Sequence, residues 1–319
     1  MQINLTDHQI QDLLGIDEFL KSCDEAFRLY GTGDLVNRSR KESLTQSDGM
    51  DVFRLELSGS WPGVLEGRKI IVERSDVSTG RLGNRSATIE LTLEGSDEAI
   101  RLDAEAITNW RTGSAAALGA RYLAPVDSRV VAIIGTGRIA ESAALAVDRA
   151  LTPGTIRVTS RSIEKRESFA SRVGPQLDAQ LEVIASVENT VAEADVVITA
   201  VPTPAPILSN DMLKDDAHLS VVAGDPRTIQ LEKNILLERP VVVDDLEQAK
   251  ASGDFVRYAE FLPDVRLVEF AGRPATIGDA ALGRLEDLRG AGCVAYFTGM
   301  AIQDLHAGYV AISSQARGT

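Results

Sequence analysis

A glycine-containing turn in the middle of the chain carries the clearest chemical signal. The apolar run Val130–Ile134 leads into Gly135-Thr-Gly137, and a segment rich in small residues follows. A glycine at position 135 allows a sharp turn off a strand, and one at position 137 lets a pyrophosphate approach the backbone. Free N–H groups at the start of the next helix favour an anion. The pattern predicts a dinucleotide site contacted by Gly135, Thr136, Gly137, Arg138 and Ile139, the alternative being a structural turn that binds nothing.

The end of the next apolar run predicts which dinucleotide binds. Domains that bind NAD(H) usually place Asp or Glu here, where a carboxylate contacts the ribose hydroxyls. This chain has Ser160, Arg161 and Ser162 instead. Two hydroxyls and a guanidinium suit a 2′-phosphate, because arginine binds phosphate oxygens through its planar fork. We therefore expect NADP(H) to be favoured over NAD(H); the alternative for Arg161 is a solvent-facing side chain at a strand end.

Two further runs end where ligands of a parallel sheet bind. Thr199, Ala200, Val201 and Thr203 lie at the end of a buried strand and in the loop after it, and they are expected to line the nicotinamide side of the cofactor. A strand with a rigid exit loop explains the same residues about as well. Thr112 is also expected to contact the cofactor. Asp225 follows a glycine at the end of a later strand. A carboxylate there can exchange a proton with a substrate nitrogen or oxygen. The alternative is an Asp-Pro sequence that only forms a turn.

Several basic side chains of the first domain and of its junction with the next are candidates for binding an anion. Those singled out are Arg38, Arg40, Arg54, Arg68, Lys69 and Arg111. Most are expected on solvated strand faces. Arg111 differs, because it opens an alanine-rich segment where one domain is expected to give way to the next. Several converging cations would bind an α-carboxylate well, but residue types alone do not choose among these six.

The elements expected to position these residues change in type along the chain. Up to about residue 100, helical periodicity and then alternating strands predict a helix with an antiparallel sheet. From Arg129 onward, strands are predicted at 129–134, 155–160, 181–184, 195–200, 218–223 and 240–244, with helices between them. This alternation predicts a doubly wound parallel sheet in an α/β protein. Residues 295–314 are expected to form one helix that returns to the first domain.

Composition limits the partners. The chain has 319 residues and a formal net charge of −14, which argues against nucleic acid or an anionic membrane surface as the main partner. Its two cysteines and three histidines have no disulfide or metal-ligand spacing, so no metal site is expected. We find neither an apolar run of membrane-spanning length nor a signal peptide, and therefore expect a cytoplasmic protein with no membrane partner.

Several separated motifs together resemble the ornithine cyclodeaminase/μ-crystallin family. They are Ile107–Ala116 with its Arg-Thr pair, Ile134–Gly137, Ala194–Ala200, Gly224-Asp225, Val241–Ala249 and Tyr296–Asp304. The resemblance runs in order from about residue 30 to residue 310. It implies a Rossmann domain, residues 119–297, inserted into a discontinuous α+β dimerisation and substrate domain, residues 1–118 and 298–319. It also implies a homodimer.

The resemblance assigns roles to the candidate residues. Arg40 (with Arg38 as its rival), Lys69 and Arg111 resemble the family's ligands for the substrate carboxylate. Asp225 resembles its acid/base group, and we take Asp225 and Lys69 as the catalytic candidates. Glu56 resembles a substrate-binding glutamate of the cyclodeaminases, although an ordinary strand carboxylate explains it too. Ser160-Arg161-Ser162 stands where the μ-crystallin branch has Asn-Arg-Thr, which also favours NADP(H). The segment after Asp225 departs from the family, because it is shorter and lacks a Lys and a Glu.

Three functions follow from this resemblance. The first is an NAD(P)H-dependent oxidoreductase acting on the C–N bond of an α-imino or α-amino acid, either an imine reductase or an amino-acid dehydrogenase. The second is a cyclodeaminase, a lyase that converts a diamino acid to a cyclic amino acid and recycles its NAD(P). The third is a μ-crystallin-like protein that holds NADP(H) without physiological turnover. The residue types do not specify the substrate side chain.

Overall fold

The computed structural model describes residues 2–77, 82–96 and 98–318, which divide into two compact units. Unit 1 comprises Met1–Arg111 and Met300–Thr319, and unit 2 comprises Thr112–Gly299. The sequence placed the two divisions after residues 118 and 297. The prediction of an α/β protein with a doubly wound parallel sheet is confirmed.

The helices and strands follow one another in this order. Over residues 2–123 they are β1 (Gln2–Leu5), α1 (Asp7–Leu13), α2 (Ile16–Thr32), β2 (Val36–Asn37), β3 (Lys41–Ser47), β4 (Met50–Trp61), β5 (Leu65–Asp76), β6 (Leu82–Leu93), β7 (Ala99–Asp103) and α3 (Glu105–Leu123). Next come β8 (Val130–Ile134), α4 (Arg138–Leu151), β9 (Thr155–Thr159), α5 (Ile163–Val173), β10 (Gln180–Val183), α6 (Val187–Val191), β11 (Val196–Thr199), β12 (His218–Val222), α7 (Lys233–Glu238), β13 (Val241–Val243), α8 (Leu246–Lys250) and α9 (Gly253–Arg257). The last are β14 (Glu269–Phe270), β15 (Arg273–Pro274), α10 (Ile277–Ala281), β16 (Val294–Phe297) and α11 (Ala301–Gly318).

Unit 1 is built on one mostly antiparallel sheet. Among the described residues its strands lie in the order β1-β7-β6-β5-β4-β2, and β3 also pairs with β4. Of the strand pairs that the structure describes in this sheet, only β1 with β7 is parallel. One face of the sheet carries Ile89, Leu91 and Leu102, which are buried with Leu305 of α11 in a single apolar core. We call this the inner face.

Two glycines allow α11 to lie close to the inner face. A Cβ on Gly67 of β5 would come within 3.0 Å of the Leu305 side chain. A Cβ on Gly59 of β4 would come within 3.1 Å of the Ile302 side chain. Because α11 packs so closely, a polar side chain on its sheet-facing side is buried against β4 and β5.

Unit 2 contains a parallel sheet in the order β10-β9-β8-β11-β12-β16-β13, as far as the structure describes the chain. The chain builds outward from β8 through β9 and β10, and then returns to the other side of β8 with β11 and β12. The order therefore reverses between β8 and β11, which is where open α/β sheets bind their ligands. The six strands predicted between residues 129 and 244 are confirmed, each with ends within one residue.

The prediction of one helix over residues 295–314 was wrong at its beginning. Val294–Phe297 is a strand that pairs in parallel with both β12 and β13, and α11 starts only at Ala301. All four residues of this strand are buried. A strand covered on both faces has no alternation of apolar and polar residues, so its sequence resembles that of a buried helix.

Candidate functional site

Lys69, Arg111 and Asp304 form a buried charged cluster in unit 1. Lys69 Nζ donates to Asp304 Oδ1 over 2.9 Å, and Arg111 Nε donates to the same oxygen over 3.2 Å. The side chains of these three residues are only 1%, 8% and 0% exposed. Two cations and one carboxylate leave one net positive charge where the local dielectric is low. Such a cluster can attract one further anion.

The sheet register places Lys69 on the inner face. Its partners across the ladder are Leu57 on β4 and Ile89 on β6, and both side chains are buried. Residues directly opposite one another in an antiparallel pair share a face. Lys69 is therefore a cation within an apolar layer, and it reaches its carboxylate partner on α11 because that helix covers the same face.

Burial changes the proton affinity of Lys69. Removal from water lowers the pKa of the ammonium from 10.5 to about 8, against the attraction of Asp304 and together with repulsion from Arg111. The lysine therefore carries its charge at neutral pH and loses it in the mildly alkaline range. A lysine with such a pKa is suited to a site that binds an anion or moves a proton.

Gln303 and Cys23 hold Arg111 on its other side. Arg111 Nη1 donates to Gln303 Oε1 over 3.3 Å, and that oxygen also accepts the N–H of Met300 over 3.1 Å. Gln303 Nε2 donates to Cys23 Sγ over 3.3 Å. Burial raises the pKa of the Cys23 thiol to about 12, so it stays protonated and packs as a neutral group. These contacts fix the orientation of the guanidinium.

Arg40 lies at an irregularity in the sheet of unit 1. Asn37 pairs with Gly59 and Lys41 pairs with Glu56. The three residues 38–40 between β2 and β3 therefore face two on β4, an irregularity of the kind seen at a β-bulge. The Arg40 side chain is 13% exposed and lies 3.6 Å from a Glu42 oxygen. The structure thus half-buries Arg40 beside β4 and pairs it with a carboxylate; its rival Arg38 donates to Ser60 instead.

The structure does not bring Glu56 to the charged cluster. Glu56 lies opposite Ile70, one residue out of step with Lys69, so it points to the other face of the sheet. There its carboxylate lies 3.3 Å from Arg54 and 3.6 Å from Arg68. These contacts correspond to the ordinary strand carboxylate that the sequence left open as an alternative.

The glycine turn in unit 2 has the geometry that its sequence predicts. Gly135 has φ of +131°, and a Cβ on it would lie 2.6 Å from the carbonyl oxygen of Ala200. Gly137 is the N-cap of α4, and a Cβ there would have no neighbour within 4 Å. Thr136 and Ile139 are half-buried beside the turn, and Arg138 is exposed at the first helical position. The first glycine is thus required by packing, and the second leaves open space for a phosphate.

The end of β9 shows one available cation and one nearby carboxylate. Ser162 is the N-cap of α5, where its hydroxyl accepts the N–H of Lys165 and donates to Glu164 over 2.6 Å. Ser160 donates to the carbonyl of Ser162. Arg161 is exposed, and its guanidinium has no hydrogen-bond or ion-pair partner in the part of the chain that the structure describes.

The carboxyl end of β11 contains an unusual polar atom. Thr199 is fully buried, and no described residue bonds to its hydroxyl. Ala200 and Val201 follow directly and lie against Gly135. A buried hydroxyl without a partner at this edge is a feature that a bound dinucleotide amide could satisfy. Together with the space at Gly137, it shows that the edge of the sheet fits a dinucleotide.

From Thr112 onward helix α3 belongs to unit 2, and it is tightly packed within that unit. Thr112 is buried, and a Cβ on the next residue, Gly113, would lie 2.4 Å from Ser142 Oγ on α4. Further along, Ser220 donates to the carbonyl of Ala116 over 2.7 Å. Thr112 is thus held beside the helix that begins at the glycine turn.

Asp225 lies in the loop after β12, and it is engaged by its own loop. Its Oδ1 accepts the N–H and the Nε of Arg227 over 2.8 and 3.0 Å, and its Oδ2 accepts Arg227 Nη2 over 2.7 Å. The carboxylate is 41% exposed. It therefore forms the turn that the sequence suggested, and one edge of it remains open to solvent for proton exchange.

Asp304 and Asp244 were not identified as site residues from the sequence. Asp244 is buried, its Oδ2 accepts the N–H groups of Thr298 and Gly299 over 2.8 Å each, and burial raises its pKa to about 6. Both aspartates lay within motifs that carried the family resemblance. The signal that could have found them is a carboxylate next to apolar residues, Val241–Val243 before Asp244 and Leu305 after Asp304, because such a group needs buried partners.

The described residues contain neither a cluster of metal ligands nor a helix that could span a membrane. No group of three or more His, Cys, Asp or Glu side chains in residues 2–77, 82–96 and 98–318 could hold a metal ion. No helix over the same ranges is both long and apolar enough to cross a membrane.

Comparison with known proteins accounts for these features. The model of the ornithine cyclodeaminase/mu-crystallin family matches residues 2–316. The chain belongs to this family. The resemblance inferred from the separated motifs is therefore confirmed, and the cyclodeaminase/crystallin match spans both units.

Individual members of the family are similar over different lengths. Alanine dehydrogenase of Archaeoglobus fulgidus is 27% identical over 311 residues, covering 94% of this chain and 91% of that protein. Ketimine reductase mu-crystallin of Rattus norvegicus is 32% identical over 155 residues, 48% of each chain. The solved structure of an archaeal alanine dehydrogenase dimer with bound NAD matches with a TM-score of 0.83 and 25% identity, covering 100% of this chain and 97% of that one.

Proposed function

We propose that this chain is an NAD(P)-dependent oxidoreductase that acts on the C–N bond of an α-imino or α-amino acid, as an imine reductase or an amino-acid dehydrogenase. The observation that carries the proposal is the buried pair of cations, Lys69 and Arg111, in a family member with a dinucleotide-type turn at Gly135. Relatives named alanine dehydrogenase and ketimine reductase support the same class of reaction.

Lys69 and Arg111 bind the substrate carboxylate in this proposal. Their charges are fixed by hydrogen bonds to Asp304 and Gln303, so little reorganisation is needed when an anion arrives. Arg40 is a third cation for the same carboxylate in this proposal; its half-buried guanidinium, next to the segment that pairs with β4, supports that role. Glu56 has no role in the proposal, since it points to the opposite face.

Asp225 exchanges a proton with the substrate nitrogen. A carboxylate at the end of a parallel strand stands at the edge where the cofactor's reactive end is expected. Asp225 is partly exposed, so it can take up or release a proton. Lys69 is the second catalytic candidate, because burial brings the pKa of its ammonium close to the working pH.

The dinucleotide is held by unit 2. Thr136, Gly137, Arg138 and Ile139 bind the pyrophosphate through backbone N–H groups at the start of α4. Gly135 contributes the turn itself, because its own N–H donates to the carbonyl of Thr159. Thr112, Ala200 and Val201 contact the nicotinamide end, and the Thr199 hydroxyl gains a partner there. When bound, the nicotinamide donates hydride to, or accepts it from, the carbon attached to the substrate nitrogen.

NADP(H) is the favoured cofactor in the proposal, and Arg161 is the reason. Its exposed guanidinium can pair with a 2′-phosphate, with Ser160 and Ser162 beside it. Glu164 favours the alternative, NAD(H), because its carboxylate lies 2.6 Å from the Ser162 hydroxyl and would repel a phosphate. The structure of the archaeal alanine dehydrogenase contains NAD, which supports NAD(H) as the alternative cofactor.

A substrate panel with both reduced cofactors tests the function. The protein is mixed with NADPH or NADH, a set of 2-oxo acids, and either ammonia or methylamine, and cofactor oxidation is followed by absorbance. A cyclic imino acid is included as a preformed imine. We expect oxidation with at least one carboxylate-bearing imine. The proposal fails if none of them is reduced although a dinucleotide binds.

The same panel separates the two alternatives. Incubation with ornithine or lysine, with release of ammonia and no net change in cofactor absorbance, would identify a cyclodeaminase. Tight NADP(H) binding without turnover of any panel member would identify a μ-crystallin-like binding protein. We also propose a homodimer, because the archaeal relative was solved as a dimer; light scattering coupled to gel filtration measures the mass.

A further inference from the structure

Asp304 is the most deeply buried member of the charged cluster, and the proposed reaction gives it no task. Its side chain is 0% exposed, and its Oδ1 accepts from both Lys69 and Arg111. No described residue bonds to its Oδ2. A carboxylate is costly to bury, so its presence behind two cations needs a physical reason.

The two cations need a common anion to lie close together. Lys69 and Arg111 both contact Asp304 Oδ1, within 2.9 and 3.2 Å, so their like charges are held near each other inside the protein. Without a carboxylate between them, repulsion and burial would favour loss of the proton from Lys69, the only one of the two that releases it readily. A neutral Lys69 would attract a substrate carboxylate much more weakly.

We propose that Asp304 is a positioning residue of the carboxylate site: it holds Lys69 and Arg111 side by side, keeps Lys69 protonated, and leaves one net positive charge, so that the site takes a substrate with a single carboxylate there. This inference rests on the proposed function for the identity of the anion. Asp304 itself is not a catalytic residue, because it acts through the two cations.

The surroundings of Lys69 contain few other groups that could do this. The charged groups that act on Lys69 are Asp304 on α11, Arg111 on α3 and Arg85 on β6. Two further groups of unit 1 are Cys23 on α2, on which Arg111 and Asp304 also act, and Arg40 before β3. Arg85 and Arg111 both lower the pKa of Lys69. Arg85 is paired with Glu73 and Glu105, Arg40 with Glu42, and the Cys23 thiol is neutral. Asp304 is the carboxylate that bonds to Lys69 directly.

The first measurement is the proton affinity of Lys69, which requires no turnover. The chain has seven lysines, so protein labelled at lysine 13Cε and 15Nζ gives a simple NMR spectrum. The Lys69 signal is the one absent from the Lys69→Arg variant. We expect Asp304→Asn to lower the pKa of Lys69 by at least one unit. In the control Glu25→Gln, which removes a carboxylate next to His306 elsewhere in unit 1, Lys69 should titrate as in the original protein.

The second measurement is binding of propanoate, a monocarboxylate without a C–N bond, by calorimetry at pH 6 and pH 8.5. At pH 8.5, Asp304→Asn should bind several-fold more weakly, because part of Lys69, with its pKa of about 8, is still charged in the original protein and almost none is charged in the variant. At pH 6 it should bind as tightly as the original protein or more tightly, because both cations are charged and no carboxylate opposes them. A role limited to packing would weaken binding equally at both pH values.

Three results would overturn the proposal. The first is an unchanged pKa of Lys69 in Asp304→Asn. The second is an equal loss of propanoate binding by Asp304→Asn at both pH values. The third is that the original protein binds propanoate no more tightly at pH 6 than at pH 8.5. If Asp304→Asn does not fold, Arg111→Gln provides the test. This variant should raise the pKa of Lys69 and abolish propanoate binding at pH 6. An unchanged pKa or unchanged binding in Arg111→Gln would also overturn the proposal. None of these results depends on imine reduction, so failure of the substrate panel can be told apart from failure of this inference.

Discussion

Arg227 binds both carboxylate oxygens of Asp225 at once, with Nε 3.0 Å from Oδ1 and Nη2 2.7 Å from Oδ2. The guanidinium is 82% exposed, and the carboxylate is 41% exposed. Asp225 is thus held in one orientation by a partner on the surface.

Replacing Asp225 tests its acid/base role. Asp225→Asn should lower kcat by about 10²- to 10⁴-fold, the usual contribution of a positioned proton-transfer group. Dinucleotide binding, followed by fluorescence, should be unchanged. Arg227→Gln should change kcat by no more than about fivefold, because exposed ion pairs contribute about 0–1 kcal/mol. The exposed Asp178→Asn is the control, and an Asp225→Asn enzyme with normal kcat would remove Asp225 from the mechanism.

The buried lysine predicts an alkaline limit to activity. The pKa of Lys69 is lowered to about 8, so its charge is present below that pH and is lost as the pH rises through it. We expect kcat/KM to fall above about pH 8, since that ratio follows the ionisation of the free enzyme. Lys69→Gln should have a raised KM and lack this limb. Lys214→Gln, which removes a lysine paired with Asp195, should keep it; a flat profile in the original enzyme would contradict the assignment.

The two glycines of the turn should fail in different ways. Gly135→Ala places a Cβ against the Ala200 carbonyl at a positive φ, and should lower the free energy of unfolding by about 1–3 kcal/mol. Gly137→Ala has free space for its Cβ, so stability should be nearly unchanged while dinucleotide affinity falls by about tenfold or more. Chemical denaturation and fluorescence titration measure the two quantities. Equal effects of both variants on both quantities would show that the glycines do not have separate roles.

Cofactor choice should depend on Arg161 and Glu164 in opposite directions. Arg161→Ala should weaken transition-state binding with NADPH by about 1.5–3 kcal/mol, the range for hydrogen bonds to charged groups. This corresponds to a fall in kcat/KM for NADPH of about 10- to 150-fold, and the value for NADH should be nearly unchanged. Glu164→Gln should raise kcat/KM for NADPH, because a negative charge near the phosphate is removed. The comparison needs both cofactors with each variant. Similar losses for NADH and NADPH in Arg161→Ala would place Arg161 outside the 2′-phosphate site.

Asp244 should contribute to stability. Its two oxygens accept from the backbone of Asp245, Thr298 and Gly299 and from the Thr298 hydroxyl. Asn has one acceptor oxygen, so Asp244→Asn leaves buried N–H groups facing an NH₂ group and should cost about 1–3 kcal/mol. Urea denaturation measures this loss. The half-buried neighbour, in the variant Asp245→Asn, keeps its capping acceptor for Gln248 and should cost less.

The parts of the molecule that could be predicted from sequence depend on local rules. The turn at Gly135 and the strands of unit 2 have short-range signatures in spacing and residue type. The partner of Lys69 has none, because Asp304 lies 235 residues further along the chain. Glu56 shows a different limit: a strand position can be right while the face is wrong, and the face depends on register that only the paired strands reveal.

The separation of Lys69 and Asp304 by 235 residues also affects the order in which the two units can fold during synthesis. Unit 2 is continuous in sequence, so it can fold as soon as it leaves the ribosome. The sheet of unit 1 is made much earlier than α11, the helix that covers Ile89, Leu91 and Leu102. Until α11 is synthesised, these apolar side chains are not buried by that helix, and the charged cluster lacks Asp304. Unit 1 therefore closes a long loop at the end of folding, which makes this step slow and exposes the nascent sheet to chaperones.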